Sequence, residues 1–408
     1  MKLKQYFYGA ALGALSLAYT SCYNADKEFP DYEGGTTAYF AYQFPVRSLV
    51  LGNDIYDNTL DNEHKCRIWS TMGGAYGGRN AVVDFVVDPT LCDNLYFTDE
   101  GGNASNPVLP LPTDYYRLAA SSIPYNGDAR GYVEVQFTDA FFNDEKAAQN
   151  TYVIPLLMTK ATGIDHILTG TPREGLNPAR TNTEDWEILA KDYVLYCVKY
   201  MNPWQGKYIR RGLDNILEGE KTTVVIRKDT TLINTDRERY TSNPVNQNDE
   251  VCGINTKNMK QAIFPVYVNI GKDADGSARP SQLCSLTLSF EGDNCTISCD
   301  DEETPSSGSG EFIVKGTERP EYKDYQWGNM NGQLLQRDIL RLAYTVSFKK
   351  GRVIGTKVVN GREVPWILEN DVQVTSNDTL VIQTRESNKK VFFSPKYVKT
   401  EANENIGG

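Results

Sequence analysis

The chain has 408 residues, room for two domains of ordinary size and at most a third. Hydrophobic residues make up 40% and charged residues 23%, a globular rather than a disordered composition. Lys and Arg total 42 against 53 Asp and Glu, a net charge of −11, which repels phosphate backbones and argues against a nucleic-acid partner. His64 and His166 are the only histidines. A three-His zinc site is therefore excluded, and Ser-His or Cys-His chemistry has few candidates.

The first elements in chain order are an address. Lys2 and Lys4 precede a weakly polar run over residues 7–20, too short to span a bilayer but suited to the core of a secretory signal. It ends in Leu17-Ala18-Tyr19-Thr20-Ser21-Cys22, small residues before a Cys that resemble a lipobox, with Tyr19 departing from the usual aliphatic residue. Residues 1–21 are thus expected to be a signal peptide. Cys22 is expected to be lipidated, with residues 22–37 as the tether that holds the chain to a membrane. The polar Asn24-Ala25-Asp26-Lys27-Glu28 that follows looks like an export signal for the outer face of the outer membrane.

Beyond the tether, strand patterns dominate. Val133, Val135 and Phe137 alternate with polar residues, and residues 152–157 form an apolar run. Leu286, Leu288 and Phe290 alternate, then Glu291-Gly292-Asp293-Asn294 reads as a turn into residues 295–299, which makes a hairpin. Leu342, Tyr344, Val346 and Phe348 alternate again before a Lys349-Lys350-Gly351 turn, and residues 379–384 close the series. Short helices fit only residues 139–149 and 183–190. The fold class is all-β.

Gly163, Gly170, Pro172, Gly175 and Pro178 break regular patterns, so residues 161–195 read as a linker between a domain at 38–160 and another at 196–408. A protease is expected to cut first between Gly163 and Arg180, leaving two stable fragments. Residues 300–310, acidic and then Ser306-Ser307-Gly308-Ser309-Gly310, read as an exposed loop in the second half. Setting Cys22 aside, seven cysteines remain with no CxxC. Cys295, Ile297 and Cys299 share one strand face, so buried small hydrophobes are expected rather than a metal site.

Several segments then carry a resemblance. Residues 40–52, from Phe40-Ala41-Tyr42-Gln43-Phe44-Pro45, are followed by Leu111-Pro112-Thr113-Asp114-Tyr115-Tyr116, Gly131-Tyr132-Val133-Glu134-Val135 and Tyr152-Val153-Ile154-Pro155-Leu156. This series resembles the immunoglobulin-like N-terminal domain of surface lipoproteins from Bacteroidetes polysaccharide-utilisation loci. Val198-Lys199-Tyr200-Met201-Asn202-Pro203-Trp204-Gln205-Gly206 resembles the opening of the C-terminal domain that accompanies it, whose family records no activity. The resemblance implies an immunoglobulin-like β-sandwich followed by an antiparallel β-barrel of the calycin or lipocalin-like kind, or a second sandwich. It implies no catalytic residue and no cofactor. The implied partners are a polysaccharide or oligosaccharide, an outer-membrane importer complex and, through the lipid anchor, a membrane.

Sugar rings present apolar C–H faces, so glycan sites pair flat aromatics with hydrogen-bonding side chains. Trp69, Trp204, Trp327 and Trp366 are candidates, with Trp204 read as core. The segment with Tyr322, Asp324, Tyr325, Gln326, Trp327 and Asn329 combines both chemistries and is the expected glycan site. Lys272-Asp273-Ala274-Asp275-Gly276 lacks the further ligands of a calcium loop and reads as a turn; Asp300-Asp301-Glu302-Glu303 reads as a solvated acidic loop. Gly73-Gly74-Ala75-Tyr76-Gly77-Gly78-Arg79 lacks the Lys-Ser/Thr of a phosphate-binding loop. The expected function is a cell-surface lipoprotein that binds glycan in polysaccharide capture and uptake. The alternative is a structural or assembly lipoprotein that docks envelope proteins.

Overall fold

The computed structural model describes residues 30–226, 250–315, 326–330, 333–385, 387 and 391–399. It is almost entirely β. The first half is a sandwich of two sheets, built from strands β1 (Thr37–Tyr39), β2 (Pro45–Val50), β3 (Lys65–Gly73), β4 (Val82–Val87), β5 (Leu95–Thr98), β6 (Tyr116–Leu118), β7 (Ser122–Pro124), β8 (Arg130–Phe137), β9 (Tyr152–Thr162), β10 (His166–Ile167) and β11 (Tyr193–Met201). One sheet runs β10-β1-β3-β8-β6, and β2-β11-β9-β4-β7 form the other. Inward residues of both, such as Ile68, Val83, Val135, Ile154 and Val198, meet in one core.

The second half is a closed barrel. Strands β12 (Gly206–Glu218), β13 (Glu250–Asn258), β14 (Gln261–Val268), β15 (Gln282–Glu291), β16 (Asn294–Cys299), β17 (Ser306–Ile313), β18 (Ile339–Phe348) and β19 (Val372–Thr384) follow one another in space as in sequence. β12 then pairs with β19 along twelve positions from Lys207 to Glu218 and closes the ring of eight. This is the antiparallel barrel that the resemblance implies, and closure removes the runner-up sandwich. Alternate residues such as Phe264, Leu288, Leu342 and Val374 fill the interior.

Two boundaries differ from the sequence reading. Residues 196–201 do not open the second domain: with 193–195 they form β11, which lies between β9 and β2 at the centre of the sandwich. Its run Tyr-Val-Leu-Tyr-Cys-Val-Lys-Tyr-Met is apolar on both faces, and only a strand covered on both sides suits that pattern. The expected linker is accordingly a folded arm. β10 pairs with β1, Thr171–Pro172 pairs with Trp186–Ile188, and Arg180 Nε bridges both carboxylate oxygens of Asp192 at 3.1 and 3.0 Å.

The second difference lies at the other end of the chain. After the barrel closes, β20 (Val391–Phe392) returns to pair with β2, and β21 (Pro395–Tyr397) pairs with β5. Phe393 is buried against Phe44 and Phe97. The sandwich is therefore completed by residues that follow the barrel.

The two bodies are joined by more than the connection at 202–205. Trp204 closes the near end of the barrel, its ring stacked on Phe290 at 3.6 Å and 5°. Asn202 donates to the carbonyls of Asn258 and Gln261. Arg385, buried at 8% exposure, donates to the carbonyls of Leu51, Asn53, Asn202 and Gln205 and so ties sandwich, connection and barrel together.

β17 corrects the reading of residues 306–310 as a loop. In this strand Gly308 and Gly310 face inward. A Cβ at Gly308 would lie 2.3 Å from the carbonyl oxygen of Ala343, and one at Gly310 would lie 2.5 Å from that of Arg341. The glycines let β17 approach β18 closely; they do not break the strand.

Two outcomes follow. Phe393→Ala, distant in sequence from the sandwich, is expected to destabilise it by about 3–5 kcal/mol, read as a lowered first transition in thermal unfolding. Limited proteolysis is expected to cut at residues 173–177, a consecutive exposed stretch without strand. The two pieces should then co-elute in gel filtration, because β11 lies after the cut and at the centre of the sheet before it.

Candidate functional site

Inside the barrel wall lies a buried polar cluster. Arg210 and Asp214 of β12 and Ser376 and Asp378 of β19 all point inward with Tyr344 of β18. Arg210 donates from Nε to Asp378 at 2.8 Å, from Nη2 to the Tyr344 hydroxyl at 2.9 Å and from Nη1 to Glu250 at 2.7 Å. Tyr344 donates to the same Asp378 oxygen at 2.8 Å, and Ser376 donates to Asp214 at 2.6 Å. Burial works against the charge on Arg210, yet Asp378, Tyr344 and Glu250 outweigh it and hold the guanidinium above its usual pKa. Burial first, and Asp378 second, push the Tyr344 phenol well up. These groups satisfy one another across the β18–β19–β12 seam. They tie β12, β18 and β19 to one another at the register observed.

The open site lies on the outside. A cleft of about 1200 Å³ runs between the sandwich and the outer face of the barrel. One wall is Phe142, Asn143 and Glu145 of the sandwich, and Asn258 donates to Glu145 across the junction at 3.0 Å. The register of the barrel builds the floor. Gln261, Ser289, Thr296, Ser309, Ala343 and Asn377 stand in one line across β14-β15-β16-β17-β18-β19. A second line along the same strands holds Glu291, Asn294, Glu311, Arg341 and Thr379.

Measured along the curved barrel wall, six neighbouring strands cover about 24 Å at the usual spacing. None of the floor residues in the first line is larger than Gln, so the floor is low, and all but Ala343 offer a hydrogen-bonding group. Gln261 Nε2 donates to Ser289 Oγ at 2.9 Å, which orients both. Such a surface suits a long, hydroxyl-bearing chain laid across the strands.

Comparison with known proteins places this architecture. Residues 32–165 match a family model described as a "-like, N-terminal domain", and residues 203–386 match the domain of unknown function DUF5627. A crystal structure of a structural-genomics protein of unknown function from Bacteroides ovatus is 36% identical; the alignment covers 90% of this chain and 100% of that one, with a TM-score of 0.70. The chain belongs to that protein's family, with DUF5627 as its C-terminal domain. Two further Bacteroides ovatus structures, one of unknown function and one a multidomain protein including DUF1735, share 11% and 9% identity. They cover 88% and 85% of this chain and 99% and 93% of their own, with TM-scores of 0.35 and 0.36. No curated protein matches the chain.

The residues singled out from sequence are placed as follows. Cys22, Tyr322, Asp324 and Tyr325 lie outside the described residues. Gln326, Trp327 and Asn329 fall in the strand Gln326–Met330, which pairs with Gln333–Gln336 as a hairpin between β17 and β18 in chain order. Trp204 is core, as read. Trp366 donates from its indole nitrogen to Asp273 at 3.0 Å, and Lys357 reaches the same oxygen at 3.2 Å. The 272–276 segment is a turn whose Asp273 serves those two side chains. Trp69 is exposed on the sandwich.

Among the described residues no His, Cys, Asp or Glu group is arranged to hold a metal ion, and no helix is long and apolar enough to cross a membrane. Burial pushes the thiols of Cys66, Cys92, Cys197, Cys252, Cys284 and Cys295 up to about 12, so they pack rather than react.

The DUF5627 floor residues were missed because no motif marks them. Serine and threonine at alternate strand positions read individually as solvent-facing filler. Only the barrel register shows that six strands place the floor residues in one line.

Proposed function

We propose that the chain is a lipid-anchored protein of the outer cell surface that binds glycan as an accessory to polysaccharide capture and uptake, not an enzyme. One observation carries this reading: the cleft with its line of small hydrogen-bonding side chains from Gln261 to Asn377, fixed in place between two clamped bodies. A hydroxyl-rich chain would meet a hydrogen-bonding side chain on every strand of the floor but β18, and the rigid walls lower the ordering cost of binding. The lipobox-like residues before Cys22 support the anchor, and the Bacteroides relative suits that setting.

Affinity electrophoresis of the mature protein through gels containing neutral polysaccharides tests the reading. Retardation by at least one is expected. Ala343→Trp, which raises a large ring from the floor at an exposed position, should reduce it tenfold or more while the melting temperature holds. Equal retardation of that variant would remove the cleft as the site.

A second reading, a docking or assembly lipoprotein, is favoured by one feature. Tyr267 and Leu283 are cross-strand neighbours on the outer barrel face, 60% and 54% exposed. Absence of retardation by every polysaccharide, with an importer co-purifying in a manner lost in Tyr267→Asp, would select it.

The anchor has its own test. Cys22→Ala should release the protein from membrane fractions or leave the signal uncleaved; unchanged mass and membrane retention would reject lipidation at that residue.

A further inference from the structure

The outer face of the β10-β1-β3-β8-β6 sheet carries a feature that the cleft does not use. Trp69 of β3 and Tyr132 of β8 are cross-strand partners, 45% and 37% exposed, with ring centroids 4.7 Å apart. The guanidinium of Arg67 lies over Tyr132 at 4.5 Å and that of Arg130 over Trp69 at 5.4 Å. A globular protein hides Trp where it can, and Trp186 and Trp204 of this chain are both buried. Two adjacent aromatic rings held outward in the middle of a sheet face therefore call for a ligand.

The charge of the face narrows what that ligand is. Lys65, Arg67, Arg117 and Arg130 stand on it with the single carboxylate Glu134 among the paired positions of β3, β8 and β6. The chain as a whole carries −11. Glu134 engages Lys65 and Arg67 at 3.7 and 3.6 Å. Arg117 and Arg130 make no ion pair among the described residues and are exposed. Guanidinium groups pair with carboxylate and sulfate through two parallel hydrogen bonds, and ring faces pack on the C–H face of a sugar.

We propose that this face is a second binding surface, for an anionic polysaccharide whose sugar rings rest on Trp69 and Tyr132 and whose acidic groups meet Arg117 and Arg130. It rests on the glycan-binding reading above but uses the outer face of a sandwich sheet in place of the barrel floor, and a different chemistry. A neutral glycan would leave the cations without purpose, and an anionic bilayer would need the cations but not the ring pair.

Affinity electrophoresis with polygalacturonate as the anionic probe, pullulan as the neutral one and phosphatidylglycerol vesicles in a parallel flotation assay separates these. Retardation by polygalacturonate that weakens with salt is expected. Trp69→Ala should reduce it about thirtyfold, and Arg130→Gln severalfold. Both changes are at exposed positions, so the melting temperature should hold, while Ala343→Trp should leave polygalacturonate binding unchanged. No retardation by polygalacturonate, equal retardation of Trp69→Ala, or binding confined to vesicles would each overturn the proposal. Pullulan binding that Ala343→Trp abolishes would stand in all those cases, so this failure is distinct from failure of the cleft.

Discussion

The path of the chain constrains everything else in the molecule. It completes most of a sandwich, leaves to close a barrel, and comes back to supply the sandwich with β20 and β21. Arg385 sits where the chain turns back and holds carbonyls from both bodies at once. Each such bond from a buried guanidinium is costly to lose, because the charge would remain without its partners. A hinge motion between the domains would have to break these bonds. The cleft between them is preformed.

Barrel closure imposes a second set of conditions, and the cleft is a consequence of them. The ring must close at one register, since a one-residue slip would turn Leu342 and Leu380 outward and Arg341 and Thr379 inward. The Arg210–Asp378–Tyr344 cluster penalises such a slip, because its donors and acceptors meet only at this alignment. The same register that satisfies the interior lines up the exterior polar residues. Closure chemistry and floor geometry are thus one property seen from two sides of the wall.

Much of the architecture was legible in the sequence. Alternation at Leu286, Leu288 and Phe290, and again from Leu342 to Phe348, marks barrel strands because their period matches a wall with one buried face. What misled was composition without context. Gly308 and Gly310 look like breakers, yet their missing side chains serve a close strand contact that only tertiary structure reveals. Pro172 and Gly175 look like a linker, yet they lie on an arm held by Arg180 and Asp192 and by a bond from the Trp186 indole to the Ala179 carbonyl. Residues 196–201 read with the barrel because they adjoin Trp204 in sequence, yet their two-faced apolar pattern belongs to β11 at the centre of the sandwich. The expected aromatic site could be argued only from local chemistry, whereas the cleft and the Trp69 face arise from cross-strand alignment of residues far apart in the chain.

The two surfaces differ in the way that their ligands would have to differ. Apart from Gln261, the first line of the cleft floor is made of short side chains with little rotamer entropy to lose, and a ligand there would gain from several weak hydrogen bonds spread along the wall. The Trp69 face has long cationic side chains already ordered on aromatic rings, so part of their ordering cost is met before a ligand arrives. Sites on rigidly joined bodies can act on one polymer with an effective concentration set by the span between them. A polymer with both neutral and acidic stretches would then be held more tightly than either stretch alone. The Arg385 clamp would contribute to that gain without touching the ligand, by keeping the span constant.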